Sequence, residues 1–341
     1  MTWTEHRRPF GDDPPTARVN FGTHAIDAIR DLPDASVDAV VTELPTWQKR
    51  SIRGLSPESW GAVSYRPMAG IDPISIPACR THLGLENDVR AYVGHVVDVF
   101  REIRRVLRRT GSVWVLVKDA RTGSIADVDE ACELRSRNLV GTPHRLALAL
   151  QGDGWYWRSD PVWYESNRLP NARGGRPSDV HHHIFFGSHP DGGGDPWYDT
   201  DALREPHQYR HMPPGNRSTE VSEGHARRPV GDSAFHPAGR NRRSVFEVKH
   251  GFWRGAQEGP WPIELVEPFV QASVPPGGTV LDPFCGSGVT AQVALANGRN
   301  FVGCDINPRA SDEFNRRIEG TRPTRKGSEE SNAIASLFQV S

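Results

Sequence analysis

The chain of 341 residues carries 41 Lys and Arg against 42 Asp and Glu, and 36% of it is apolar, with 33 Gly and 28 Pro. That length supports one large α/β domain with an insert, or two ordinary domains, with long Gly- and Pro-rich surface loops around a real core. No apolar run is long enough to span a bilayer, and Cys79, Cys132, Cys285 and Cys304 form no CxxC pair, so a membrane span, a disulfide framework and a zinc ribbon are all disfavoured and a soluble protein of the reducing cytoplasm is expected.

The start, MTWTEHRRPFGDDPP, lacks the apolar core of a secretory signal, and residues 1–18 read as a flexible polar arm. Order is expected from Val19. Ile26, Ile29 and Leu32 fall at helical spacing, and Asp38 to Thr42 is an apolar run that suits a buried strand. Residues 51–83 show no period and read as a long loop. From Val89 to Leu107 the apolar residues share one face of a helix of about five turns. Gly111 to Asp119 follows as a buried strand ending in an acid. Thr142 as N-cap with Pro143 behind it predicts a helix to Gly152. WYWRSDPVWY and VHHHIFFG are strand candidates.

Residues 188–245 lose hydrophobic periodicity and are rich in Gly, Pro, His, Asn and Arg, as an inserted recognition module would be. Patterning returns with a helix over Pro262 to Ala272, the strand Gly278 to Asp282, a helix after Gly288, the strand Asn300 to Asp305 and a helix from Pro308 to Ile318. The tail, 321–341, is polar. The alternation predicts a doubly wound, mostly parallel α/β sheet with helices on both faces and its cleft at the carboxyl ends of the strands.

GTVLDPFCGSGVTAQVALANGRNFVGCDINP carries the strongest chemical signal. One strand ends in Asp282, the turn Pro283, Phe284, Gly286, Ser287, Gly288 allows close approach of a ligand to the backbone, and the next strand ends in Asp305. This is the pattern of a nucleoside-binding βαβ unit, in which the distal carboxylate accepts from ribose hydroxyls. GxGxxG spacing and GK[ST] are both absent, which argues against a dinucleotide or a triphosphate. Cys285 lies within the turn and reads as a small turn residue.

The segment resembles the S-adenosylmethionine motif of amino-group DNA methyltransferases. That resemblance implies that Asp282, Phe284, Gly286 and Ser287 line the methionine part of the cofactor and that Asp305 holds its ribose. It extends from about Val19 to Ile318: RVNFGTHAIDAIRDLPDASVDAVVT, LGLENDVRAYVGHVVDVFREIRRVL, LVGTPHRLALALQGDGWYWRSDPVWY, RPSDVHHHIFF, YDTDALREP and RNRRSVFEV occur in the order of the β class, particularly N4-cytosine DNA methyltransferases. It implies a seven-stranded Rossmann-like sheet, a catalytic half over 19–187, a target-recognition insert over 188–245, an S-adenosylmethionine-binding half over 246–320, and methylation of an exocyclic amine in DNA, cytosine N4 ahead of adenine N6.

The family's catalytic loop has the form Ser/Asp/Asn-Pro-Pro-Tyr, commonly Thr-Ser-Pro-Pro-Tyr-Trp, in which an oxygen and a backbone carbonyl accept from the amine and an aromatic ring holds the extruded base. Here the positions read Thr42, Glu43, Leu44, Pro45, Thr46, Trp47. Glu43 retains an acceptor, the Leu44 carbonyl is present beside Pro45, and Thr46 cannot stack, which leaves Trp47 as the nearest stacking candidate. The family's Gly-Asp-Ser corresponds to Lys118, Asp119, Ala120, and its His-Glu-Tyr to His181, His182, His183. These departures support two readings: a methyltransferase with a rebuilt base pocket, or a catalytically silent DNA-binding or complex subunit.

Double-stranded DNA is the expected partner, through Arg210, Arg217, Arg227, Arg228, Arg240 and Arg242 of the insert. A homodimer or a defence-complex partner is also expected. No third ligand joins His181 and His183, so no metal is expected.

Overall fold

The computed structural model describes residues 2–7, 14–48, 54–122, 134–135, 137–169, 175–192, 195–207, 236–251 and 259–322. In chain order its elements are β1 (Thr4–Arg7), β2 (Thr16–Phe21), α1 (Ala25–Arg30), β3 (Val37–Glu43), β4 (Glu58–Trp60), β5 (Val63–Tyr65), β6 (Ile74–Ile76), β7 (Cys79–Thr81), α2 (Val89–Val106) and β8 (Leu107–Val117). There follow α3 (Thr142–Gly152), β9 (Tyr156–Ser159), β10 (Val162–Tyr164), β11 (His181–Ser188), β12 (Val245–Glu247), α4 (Ile263–Ser273), β13 (Thr279–Asp282), α5 (Val289–Ala296), β14 (Asn300–Asp305) and α6 (Ala310–Gly320).

The main sheet runs β1-β2-β14-β13-β3-β8-β11-β10-β12, with β9 paired to β11. The pairs β2/β14, β14/β13, β13/β3 and β3/β8 are parallel, and β11 turns antiparallel against β8. Parallel strands buried on both faces require nearly continuous apolar runs, which β3, β8 and β14 supply. One core lies between the sheet and α1, α2 and α3, around Tyr92, Phe100 and Leu146; the other lies beneath α4, α5 and α6, around Phe269, Val293 and Phe314. The sheet is therefore doubly wound, as the patterning predicts, but among the described residues it has ten strands instead of seven. The run from β2 to β10 holds seven, and β1, β9 and β12 add to it.

Three local expectations change. The polar arm contains β1, whose residues pair antiparallel with Arg18 and its neighbours in β2, and β2 itself begins at Thr16, ahead of Val19. The long loop contains two short ribbons, β4 with β7 and β5 with β6. Alternation over three residues is too short to read as a strand, yet Trp60, Val63, Tyr65 and Ile76 bury their inward faces against the α2 core. Lastly, Gly141 rather than Thr142 caps α3, with φ +71° and no side-chain cap. The Asp119 carboxylate supplies the acceptors, taking the Gly141 and Thr142 N–H groups at 3.1 and 2.9 Å.

Helix α2 shows how pattern becomes packing. The Asp88 side chain accepts from the Arg90 N–H at its start, and Val89, Tyr92, Val93, Val96, Phe100 and Ile103 form the buried stripe. Each such side chain contributes roughly 1.5–3 kcal/mol of apolar transfer as an upper bound. No helix of the described residues is long and apolar enough to cross a membrane.

Candidate active site

Strand β13 lies between β14 and β3, where the direction of chain progression across the sheet reverses, and its carboxyl end carries Asp282. Such a reversal opens a cleft above the strand ends. Asp282 is buried and accepts from Thr42 Oγ1 at 2.6 Å, Thr290 Oγ1 at 2.9 Å and the Phe284 N–H at 3.1 Å. Burial pushes its carboxyl up to about 7, with Asp305 adding to the rise and the two hydroxyls opposing it.

At the end of β14, Asp305 accepts from the Gly286 N–H at 3.0 Å and the Asn307 N–H at 2.8 Å. The turn between the two acids is compact. Gly286 has φ +46° and Gly288 φ +82°, and a Cβ on Gly288 would lie 2.4 Å from the Phe314 ring. The glycine at 288 thus serves the docking of α6 on α5. The Ser287 carbonyl accepts from Arg317 Nε at 2.8 Å. Cys285 is buried, and desolvation holds its thiol well above the usual range, so it remains protonated and unreactive.

Beside this turn a small hollow is lined by Ala25, Glu58, Trp60, Leu83, Pro283, Phe284 and Ile306. Around Glu58 stand His24 Nε2 at 3.8 Å and His82 Nδ1 at 3.6 Å, both buried atoms without a hydrogen-bond partner among the described residues. Apolar and aromatic walls, buried polar atoms lacking partners, a glycine turn and an oriented carboxylate fit an amphipathic nucleoside-bearing cofactor. Asp282, Pro283, Phe284, Gly286, Ser287, Gly288 and Asp305 are gathered at this one place. Glu58 and Trp60 of β4 and His24 at the start of α1 were not legible in the sequence, because neither a short irregular ribbon nor a helix cap announces which distant residues it will face.

The loop after β3 departs from expectation at Trp47. This indole is only 2% exposed, donates from Nε1 to the Glu86 carbonyl at 2.9 Å and packs in the α2 core. A ring so placed cannot stack an extruded base; Trp47 is an anchor of the loop. Further contacts fix the same loop. The Leu44 N–H donates to the Leu116 carbonyl at 3.0 Å, Tyr92 Oη to the Pro45 carbonyl at 2.8 Å, and the Gln48 N–H to the Gly84 carbonyl at 2.7 Å. Glu86, in turn, accepts from the Gly84 N–H at 2.8 Å and lies 2.9 Å from His95 Nδ1, with Trp60 stacked on that imidazole. The rigidity that a second proline would give is supplied here by tertiary hydrogen bonds.

Glu43, at the end of β3, forms an ion pair with Lys118, just past β8. His183 pairs in register with Val117, so the three histidines begin β11 at this same end of the sheet. His182 is buried beside Arg168 and Trp163, and His183 lies 3.1 Å from Asp160. Among the described residues, no group of three or more His, Cys, Asp or Glu converges as a metal site would.

Of the insert's arginines, Arg210, Arg217, Arg227 and Arg228 lie outside the described residues. Arg240 and Arg243 pair with Glu205, and the Arg242 guanidinium rests 4.5 Å from the centre of the Phe246 ring. Those three are engaged within the protein.

Residues 37–316 match the DNA methylase family of the N6/N4 type. The chain is 31% identical over 316 residues to the Type II methyltransferase M.Cfr9I of Citrobacter freundii, covering 88% of this chain and 87% of the relative. It is 32% identical over 304 residues to M.XycI of Xanthomonas campestris pv. cyanopsidis, covering 84% and 83%. Among solved structures, the PvuII DNA methyltransferase (cytosine-N4-specific) shares the fold with a TM-score of 0.55 at 14% identity, over 90% of this chain and 94% of that one. The Thermus thermophilus protein TTHA0409 in complex with S-adenosyl-L-methionine does so with a TM-score of 0.52 at 21% identity, over 91% and 98%.

Proposed function

We propose, from the premise that this chain belongs to the N6/N4 DNA methylase family and is an S-adenosylmethionine-dependent DNA methyltransferase, that its acceptor is the exocyclic amine of cytosine N4, ahead of adenine N6. The resemblance of the segment from about Val19 to Ile318 to N4-cytosine enzymes supports cytosine. The observation that carries an active site is the convergence of Glu43, Asp282 and Asp305 at adjacent strand ends, linked by the hydrogen bond from Thr42 to Asp282.

When bound, S-adenosylmethionine supplies an electrophilic methyl group on a sulfonium. The residues expected to hold it are Asp282, Pro283, Phe284, Gly286, Ser287 and Asp305, with Asp305 toward the ribose. The target nucleotide must leave the duplex to bring its amine to this cleft. Glu43 and the Leu44 carbonyl accept from the amine N–H groups, turning the nitrogen lone pair out of conjugation and toward the methyl group. Pro45 and Trp47 hold that carbonyl in place; Trp47 acts through the loop. No covalent enzyme intermediate is required.

DNA contact through the insert rests on Arg210, Arg217, Arg227 and Arg228. A defining experiment combines labelled S-adenosylmethionine, unmodified DNA and mass analysis of the hydrolysed nucleosides. N4-methylcytosine is expected. N6-methyladenine would reverse the order of bases, and retained cofactor binding with no methylated product would favour the silent-subunit reading. Glu43→Ala should abolish turnover with cofactor affinity nearly intact; full turnover would remove Glu43 from the amine.

A further inference from the structure

A cation stands directly against the carboxylate assigned to the amine. Lys118 Nζ lies 2.5 Å from Glu43 Oε1, with the two side chains 13% and 22% exposed. Both origins are fixed by backbone: Glu43 pairs in parallel register with Leu116, and the next residue, Leu44, donates its N–H to the Leu116 carbonyl. The pair is thus neither a surface contact, whose net contribution is small, nor a fully enclosed one, whose desolvation offsets its attraction. It is shielded enough to select a rotamer.

Glutamate has more rotatable bonds than the shorter acceptors that serve such loops, and a freely turning carboxylate would seldom present its oxygen to the amine. A lone carboxylate facing a neutral base would also bear a desolvation cost, which a neighbouring ammonium reduces. We propose that Lys118 is a positioning residue for methyl transfer: it holds the Glu43 carboxylate in one orientation at the end of β3 and neutralises it as the base enters. Lys118 acts through Glu43 and does not itself touch the reacting atoms. The inference rests on the reading of Glu43 as the amine's acceptor.

The test uses the full chain, labelled S-adenosylmethionine and DNA, with kcat, KM and S-adenosylhomocysteine affinity measured together and Tm as a folding control. Lys118→Met is expected to lower kcat about 10- to 100-fold, the scale of an orientation error, while KM for the cofactor and S-adenosylhomocysteine affinity stay within about twofold. Lys118→Arg should recover most of kcat, and it carries the comparison if Lys118→Met fails to fold. The double variant Glu43→Gln/Lys118→Met should be no slower than Glu43→Gln alone, because the lysine has nothing left to position. Wild-type kcat in Lys118→Met, losses that multiply in the double variant, or no recovery by arginine would overturn the proposal. If Glu43→Ala is inactive and Lys118→Met is fully active, this inference alone falls; if Glu43→Ala is fully active, the amine-orienting reading falls and takes this one with it.

Discussion

Thr42 donates its hydroxyl to the Asp282 carboxylate at 2.6 Å, joining residues 240 apart in the chain. One is the neighbour of Glu43 and the other opens the turn proposed for the cofactor, so this hydrogen bond ties together the ends of β3 and β13, which pair in parallel below it. Thr42→Val keeps the shape and removes the donor. It should cost about 1–3 kcal/mol, the range for a buried acceptor left short of a partner, and lower kcat as well. Denaturant midpoints and turnover of one preparation check both.

The protonation of Asp282 predicts a pH dependence with a definite sign. Its folded value near 7 lies above the 3.8 of an ordinary aspartate. The native state therefore binds the proton more tightly, and the favourable contribution is full below about pH 4 and lost as pH rises through about 7. Asp282→Asn does not titrate. Its stability relative to wild type should grow between pH 5 and pH 8, with a ceiling of ~3 kcal/mol for the roughly two pKa units between pH 5 and the folded value. Urea melts at the two pH values decide this, and a constant difference would contradict it.

Tyr92 holds the Pro45 carbonyl through its hydroxyl, while its ring belongs to the α2 core. In Tyr92→Phe the Pro45 carbonyl loses its donor while the packing remains. Turnover should drop several-fold, with S-adenosylhomocysteine affinity within about twofold of wild type, as fits an error confined to the base side. Equal loss of both would show that the loop also supports the cofactor.

If Trp47 is an anchor, its removal acts on stability first. Trp47→Ala should destabilise by about 3–5 kcal/mol, and Trp47→Phe by less. An unchanged Tm with impaired DNA-dependent turnover would restore it to the base pocket.

Gly288 combines φ +82° with a Phe314 ring 2.4 Å from where a Cβ would stand. Gly288→Ala should cost more than about 1 kcal/mol and displace α6. Pairing it with Phe314→Leu should recover part of the loss, because the clash is removed while the backbone strain persists. Thermal melts of the two variants measure this.

Local and periodic information was written in the chain itself. The α2 stripe, the run of β3, and the β13-turn-β14 unit with an acid at each strand end follow from short-range rules, because helix and strand periods and glycine turns are properties of adjacent residues. The turn proposed for the cofactor is such a unit, so its residues are adjacent in the chain and could be proposed before any fold was known. The base side is assembled from four distant pieces, β3, β8, the Gly84–Glu86 turn and α2, and there the sequence alone misled. Trp47 looks available on a polar loop, yet Glu86 and the α2 core claim it; Tyr92 counts only as one more apolar residue of a stripe, yet its hydroxyl steadies Pro45. Lys118 looks like a departure until β8 is laid beside β3 and its ammonium meets Glu43. Spacing along a chain specifies what neighbouring residues can form; which side chain satisfies which distant donor or charge is decided only when packing brings their backbones into register.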